Sequence, residues 1–229
     1  MSTYTPLIIL FDIDGTLVST GGAGRRAMAS ALKDYLGQPG ALGFHFAGMT
    51  DRAILRRAIE GVGATYDERA HDAVVEIYLE HLKVELPQST NYRVMPGVAD
   101  FIEACLALPD AVSGLGTGNI EPAARLKLAP AGLDRYFEFG GFGDDAEIRS
   151  DMLIAGARRG AAQLGLELSS CEVIVIGDTV RDIHAARAMG ARCIAVCTGG
   201  DARTDLEAEQ PWRVVEDLTE PGLVDRLRS

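Results

Sequence analysis

Apolar residues fall along this chain in two textures. The chain opens with Leu7, Ile8, Ile9 and Leu10, an unbroken apolar run that predicts a strand buried on both faces. From Arg25 to about Tyr92 the spacing turns helical. Arg25 to Leu36 predicts one helix. Ile54, Leu55, Ala58 and Ile59 mark the apolar face of a second, with Thr50 or Asp51 as its cap. Ala70, Ala73, Val74, Ile77 and Tyr78 repeat the period in a third, and Pro87 with the polar QSTN stretch is expected to close the segment.

From Met95 onward helical and strand-like runs alternate. Helices are expected from about Gly97 to Leu108, from Pro122, from Ser150 to Leu164 and from Val180 to Met189. Strands are expected at Ala111 to Gly116, weakly around Phe137 to Phe142, and at Val173 to Ile176, Cys193 to Cys197 and Val214 to Val215. This alternation predicts an α/β fold, a Rossmann-like parallel sheet with helices on both faces. The helical stretch interrupts it. The expected division is therefore an α/β core of residues 1–18 and 93–229 with an inserted α-helical cap domain of residues 19–92, entered through Gly21, Gly22 and Gly24.

Three strand ends carry candidate chemistry. Asp12 and Asp14 stand two residues apart after the first strand, so they point the same way, and Gly15 lets the chain turn beside them. Asp-Gly is also a common turn former, and the glycine comes too early for a calcium-binding loop of the EF-hand type. The second strand end is SGLGTGN, with Thr117, Gly118 and Asn119 ahead of a helix. It lacks the third glycine of a dinucleotide fingerprint; a hydroxyl and free N–H groups at a helix start suit a single phosphate, while Asn119 alone reads equally as a cap. The third is EVIVIGDTVRD, where Asp178 follows a buried strand and Asp182 opens the next helix. Asp12, Asp14 and Asp178 at adjacent strand ends would make a dense negative site, and hard oxygen ligands suit Mg2+.

Composition narrows the partners. The 229 residues carry a net charge of −11, with 47% apolar and 24% charged residues and no basic stripe. Nucleic acid and anionic membrane are therefore not expected as main partners, whereas local cations can still bind a small phosphorylated metabolite. Leu7 to Phe11 is too short for a signal peptide or a membrane span. Cys105, Cys171, Cys193 and Cys197 form no CxxC pair and read as buried thiols in a reducing cytoplasm. His45, His71, His81 and His184 show no pairing with a nucleophile. The composition leaves the oligomeric state open.

In the order DIDGT (Asp12 to Thr16), the Thr117 strand end and GDTVRD (to Asp182), the chain resembles the haloacid dehalogenase superfamily. TGGAGRRA and GMTDR make it similar to the phosphoglycolate phosphatase-like members, which carry a small helical cap. The resemblance implies a phosphatase in which Asp12 is the nucleophile and forms an aspartyl phosphate, and Asp14 is the general acid and base. It also implies that Mg2+ is held by the Asp12 carboxylate, the Asp14 backbone carbonyl and Asp178. Asp182 would orient the metal's surroundings and Thr16 brace the loop, while Thr117, Gly118 and Asn119 would hold phosphate oxygens. The family's usual lysine is missing, and Arg149 is the expected replacement. Lys127 is the second candidate, read as a solvated helix residue. Arg25 and Arg52 could meet an anionic substrate, although solvated helix charge is the expected role. A phosphomutase of the same family and a non-catalytic phosphometabolite-binding module are the alternatives. The mutase is weakened because such enzymes usually carry a cap histidine near Gly24.

Overall fold

The computed structural model describes residues 4–228. In chain order the elements are β1 (Leu7–Phe11), β2 (Val18–Ser19), α1 (Ala23–Leu36), α2 (Asp51–Glu60), α3 (Glu68–Gln88), β3 (Arg93–Val94), α4 (Val98–Leu106) and β4 (Ala111–Gly116). They continue with α5 (Glu121–Leu128), β5 (Gly140–Gly141), α6 (Arg149–Gln163), β6 (Glu172–Gly177), α7 (Val180–Ala188), β7 (Arg192–Val196), α8 (Arg203–Ala208) and β8 (Arg213–Val215).

A parallel sheet of six strands runs β5-β4-β1-β6-β7-β8. β1 lies at its centre because all five of its side chains are buried. Leu7, Ile9 and Phe11 face Val98, Phe101 and Ile102 of α4 on one side. Ile8 and Leu10 face Met152, Leu153 and Ala157 of α6 on the other. This alternation explains why the run carries no polar position. The chain leaves β1 for β4 on one side and β6 on the other, so the strand order reverses at β1 and a crevice opens at its C-terminal end.

Helices α1, α2 and α3 pack around Ala27, Leu32, Leu55, Ile59, Val74 and Leu82, with Ile120 and Ala123 of the α5 region joining the same cluster. The antiparallel pair β2 and β3 forms the base of this unit. Thr50 caps α2, its side chain accepting from Ala53 N–H, and Asp67 caps α3 through Ala70 N–H. The unit lies against the sheet edge. Asp51 N–H donates to Gly118 O at 2.7 Å, and Thr50 Oγ1 to Glu147 O at 3.0 Å. Arg56 pairs with Glu147 at 2.9 Å, and Arg181 donates to Ala47 O.

One element expectation needs correction. Phe137 to Phe142 yields only the two-residue strand β5, Gly140–Gly141. Pro87 and the polar stretch after it close the segment as expected: Pro87 sits inside the last turn of α3, and Ser89 N–H closes the helix on Leu86 O. A proline there forfeits a single ladder bond close to the end.

Candidate active site

The C-terminal ends of β1, β4 and β6 converge on a cavity of about 380 Å³, walled on its far side by α1, the loop before α2, and α3. Asp12, Asp14, Gly118, Asn119, Lys127, Arg149 and Asp178 all face it. Asp12 is 4% exposed, and Arg149 Nη2 lies 3.1 Å from its Oδ2. The same nitrogen lies 2.5 Å from Asp182 Oδ1, so one guanidinium joins two buried carboxylates. Arg149 reaches them because it begins α6, which packs along β1 and β4.

Asp182 is fully buried and fully used. Its Oδ2 accepts from Thr179 N–H at 3.1 Å and Thr179 Oγ1 at 2.7 Å, closing the capping box of α7. Asp178 is held by Thr16 Oγ1 at 3.1 Å on one oxygen and by Gly200 N–H at 2.7 Å on the other. Gly15 (φ +88°) and Gly199 close the backbone around this carboxylate. A β-carbon on either would fall 2.4 Å or 1.7 Å from Asp178 Oδ2.

The carboxylate oxygens of Asp12, Asp178 and Asp182 come within 4.8 Å of one another. Burial pushes Asp12 up to about 6, with Arg149 opposing and Asp182 adding to the rise. Burial, then Asp182 and Asp12, hold Asp178 well above the usual carboxylate range. Crowded acids of which two, Asp12 and Asp178, resist ionisation fit a hard divalent cation, whose charge would relieve them. Asp12 and Asp178 line the cavity and Asp182 does not, so the first two are the carboxylates that can offer an oxygen to such a cation.

Asp14 turns the other way. Its Oδ2 accepts from Lys127 Nζ at 2.6 Å and Asn119 Nδ2 at 2.9 Å, and Lys127 also donates to Asn119 Oδ1 at 2.5 Å. Asn119 therefore does not cap α5: Ile120 stands at the cap position and its N–H donates to Asp51 Oδ2 at 3.0 Å. Thr117 is fully buried behind Asn119, whose N–H and Nδ2 donate to its Oγ1 at 3.3 and 2.8 Å. Gly118 and Asn119 face the cavity and Thr117 does not.

The reading of Lys127 as a solvated helix residue is overturned. It is 5% exposed, on the face of α5 that buries Ala123, Ala124 and Leu128. Burial works against its charge, but Asp14 and Asp51 outweigh that and raise its pKa. The same balance holds for Arg149, raised by Asp182 and Asp12 despite burial. The two candidate cations are thus not alternatives, since the site contains both.

Among the other polar candidates, Arg52 pairs with Glu68 at 2.7 Å, and Arg25 lines the cavity with its guanidinium on the Leu42 and Phe44 carbonyls. His71 is buried beside the Tyr66 hydroxyl at 3.0 Å; His81 and His184 pair with Asp34 and Glu209. Cys105 and Cys193 are buried thiols as expected, but Cys171 and Cys197 are half-buried. Asp51 and Tyr78, both buried and facing the cavity, escaped the sequence reading. Asp51 was a candidate only for the cap of α2, and Tyr78 is one more large residue in the apolar stripe of α3.

Comparison with known proteins agrees with this geometry. The family model for haloacid dehalogenase-like hydrolases matches residues 7–190. "Probable phosphatase IndB" of Dickeya dadantii is 27% identical, over 93% of this chain and 90% of that protein. "Phosphoglycolate phosphatase 1" of Pseudomonas aeruginosa is 27% identical, over 95% of this chain and 79% of its own. The crystal structure of a hydrolase from Pseudomonas syringae superposes with a TM-score of 0.73 at 23% identity, covering 98% of this chain and 100% of the other, and shows the same fold. With its sheet, its acidic strand ends and a family match over most of its length, the chain belongs to the haloacid dehalogenase-like hydrolase family.

Proposed function

We propose that this hydrolase is a magnesium-dependent phosphomonoesterase acting on a small phosphorylated metabolite, phosphoglycolate-like or a sugar phosphate. The observation that carries the reading is Asp12, buried at the end of β1, paired with Arg149 and crowded by Asp178. Asp12 attacks phosphorus; the phosphorus–ester oxygen bond breaks, and its electron pair leaves with the departing oxygen. Asp14 supplies the proton that oxygen takes. Its Oδ1 is available to carry it, because Lys127 and Asn119 both engage Oδ2. Water then attacks the phosphorus of the aspartyl phosphate and gives a proton to Asp14, and Asp12 leaves as a carboxylate with inorganic phosphate released.

Gly118 N–H is suited to a phosphate oxygen, while Asn119, whose donors go to Thr117 and Asp14, holds Asp14 in place. Magnesium held by Asp12, Asp178 and the Asp14 backbone carbonyl would supply charge against the phosphoryl oxygens. Arg149 adds a fixed cation beside the nucleophile. The mutase alternative loses ground because the space above Gly24 is taken by Lys127, 3.1 Å from where a β-carbon would stand.

Phosphate release from 4-nitrophenyl phosphate tests the reading. Turnover is expected with magnesium, to vanish in excess chelator and to return on add-back. Full activity in chelator would remove the metal, and no turnover of any ester would leave a binding module.

Residues 19–92 are further proposed to open as a lid on Gly21 and Gly22, whose φ angles are +60° and +83°. Gly22→Ala puts a side chain into that left-handed backbone, a strain of about 1–2 kcal/mol. It should slow a metabolite ester several-fold more than the aryl ester; equal slowing would argue against a substrate-reading lid. Among the described residues no helix is long and apolar enough to cross a membrane. Free thiols at Cys105 and Cys193 support a cytoplasmic location, which imaging of a fluorescent fusion would check.

A further inference from the structure

Beyond the reacting groups, one corner of the cavity holds polar atoms with nothing to bond. Tyr78 is 1% exposed, and no hydrogen bond reaches its hydroxyl among the described residues, although the residue faces the cavity. Open to the cavity, that hydroxyl is free to give and accept a hydrogen bond with whatever enters it. Lys127 has a third N–H beyond those given to Asp14 and Asn119. Both groups converge on the notch left by Gly24. A β-carbon there would lie 3.1 Å from Lys127 Nζ and 3.8 Å from the Tyr78 hydroxyl. Asp51 closes the corner with one oxygen on Ile120 N–H and the other without a partner. Asp51 and Tyr78 line the same cavity, and after burial the Asp51 charge is the main cause holding the Tyr78 phenol well above its usual value.

This corner adjoins Asp14, which in the phosphatase reading above serves the leaving oxygen, so it receives the first atoms of the leaving group. Two donors and a carboxylate acceptor match a neutral hydroxyl, which can accept from Tyr78 or Lys127 and donate to Asp51. A carboxylate could not donate, and it would add negative charge beside Asp51 and Asp14. Arg25 turns its guanidinium to the Leu42 and Phe44 carbonyls and stacks it on Phe46. Arg93 lies exposed at the rim, where water screens it. We propose that Tyr78, Lys127 and Asp51 form a subsite for a hydroxyl on the leaving group, which makes the substrate the phosphate ester of a polyol or sugar rather than of a hydroxy acid.

Three two-carbon esters separate the possibilities: 2-hydroxyethyl phosphate, 2-phosphoglycolate and ethyl phosphate, with 4-nitrophenyl phosphate as the reference. The wild-type kcat/KM is expected to favour the hydroxyethyl ester over both others by about tenfold, the scale of one buried hydrogen bond. Tyr78→Phe, which removes only the hydroxyl, should reduce the advantage over ethyl phosphate by a similar factor. Asp51→Asn keeps an oxygen for Ile120 N–H and removes the charge, so it should move preference toward 2-phosphoglycolate. Wild-type preference for 2-phosphoglycolate, or ratios unmoved by both variants, would overturn the subsite while leaving the phosphatase intact. Absence of turnover on all four esters would remove the phosphatase reading, and the subsite with it.

Discussion

The two walls of the cavity differ in how completely their polar atoms are paired. On the sheet side, Arg149 joins Asp12 to Asp182, Thr179 takes the other Asp182 oxygen, and Thr16 and Gly200 fix Asp178. On the helical side, the Tyr78 hydroxyl, one N–H of Lys127 and one oxygen of Asp51 have no hydrogen-bond partner among the described residues. The first wall is tied together by these bonds, and a cation would balance its charge. The second is unfinished until something enters. This asymmetry is what a hydrolase with fixed chemistry and a selective leaving-group pocket requires, because reacting groups must be held before substrate arrives, whereas selectivity lies in bonds that only the right substrate completes.

The sharpest way to break the contrast is to unpair the sheet side. Arg149→Ala leaves Asp12 and Asp182 buried without their shared cation, so kcat for an aryl phosphate should fall by about 10²–10³-fold. Stability should fall as well, by about 3–5 kcal/mol in urea titration. Arg149→Lys should recover part of both. Lys127→Met keeps the length of the side chain and removes a cation whose partners, Asp14 and Asn119, still bond each other. A smaller loss of about 10–10²-fold is expected. If Lys127→Met cost as much as Arg149→Ala in both activity and stability, the division between a paired wall and an open one would be wrong.

The smallest effect concerns Asp51. Burial pushes its carboxyl from 3.8 up to about 6, with Lys127 opposing. The folded protein therefore holds this proton more tightly than the unfolded chain. Stability from this group is intact below about pH 4, is lost as pH rises towards 6 and stays lost above it. Asp51→Asn should be close to neutral near pH 4 and stabilising at pH 7 by on the order of 2–3 kcal/mol, measured as the difference between paired melts. A variant less stable than wild type at pH 7 would show that the Asp51 charge supports the closed structure.

The same asymmetry explains what could be read from the chain. β1 was legible because burial on both faces removes every polar residue from it, and Asp12, Asp14 and Asp178 were legible because each ends such a run. β5 was legible only weakly, as a strand around Phe137 to Phe142, since Gly140 and Gly141 have no side chains to show a strand period and are glycine where α6 comes close. Lys127 was misread because its charge outweighed its position, although it shares the face of Ala123, Ala124 and Leu128 on α5. Tyr78 was hidden for the opposite reason: its ring belongs to the apolar stripe of α3, and only the folded chain shows that its hydroxyl emerges beside Gly24. Residues that serve the sheet edge announce themselves locally; those that complete a pocket from another unit do not.

The account rests on Asp12 as the group that receives phosphate. Acid quenching during turnover of a phosphate ester, followed by borohydride reduction and mass spectrometry, tests this directly, because reduction of an aspartyl phosphate leaves homoserine in place of the aspartate. The prediction is homoserine at position 12 and unmodified Asp14 and Asp178, with no trapped product in Asp12→Asn. Phosphate release without any trapped acyl phosphate, or homoserine at another aspartate, would contradict it.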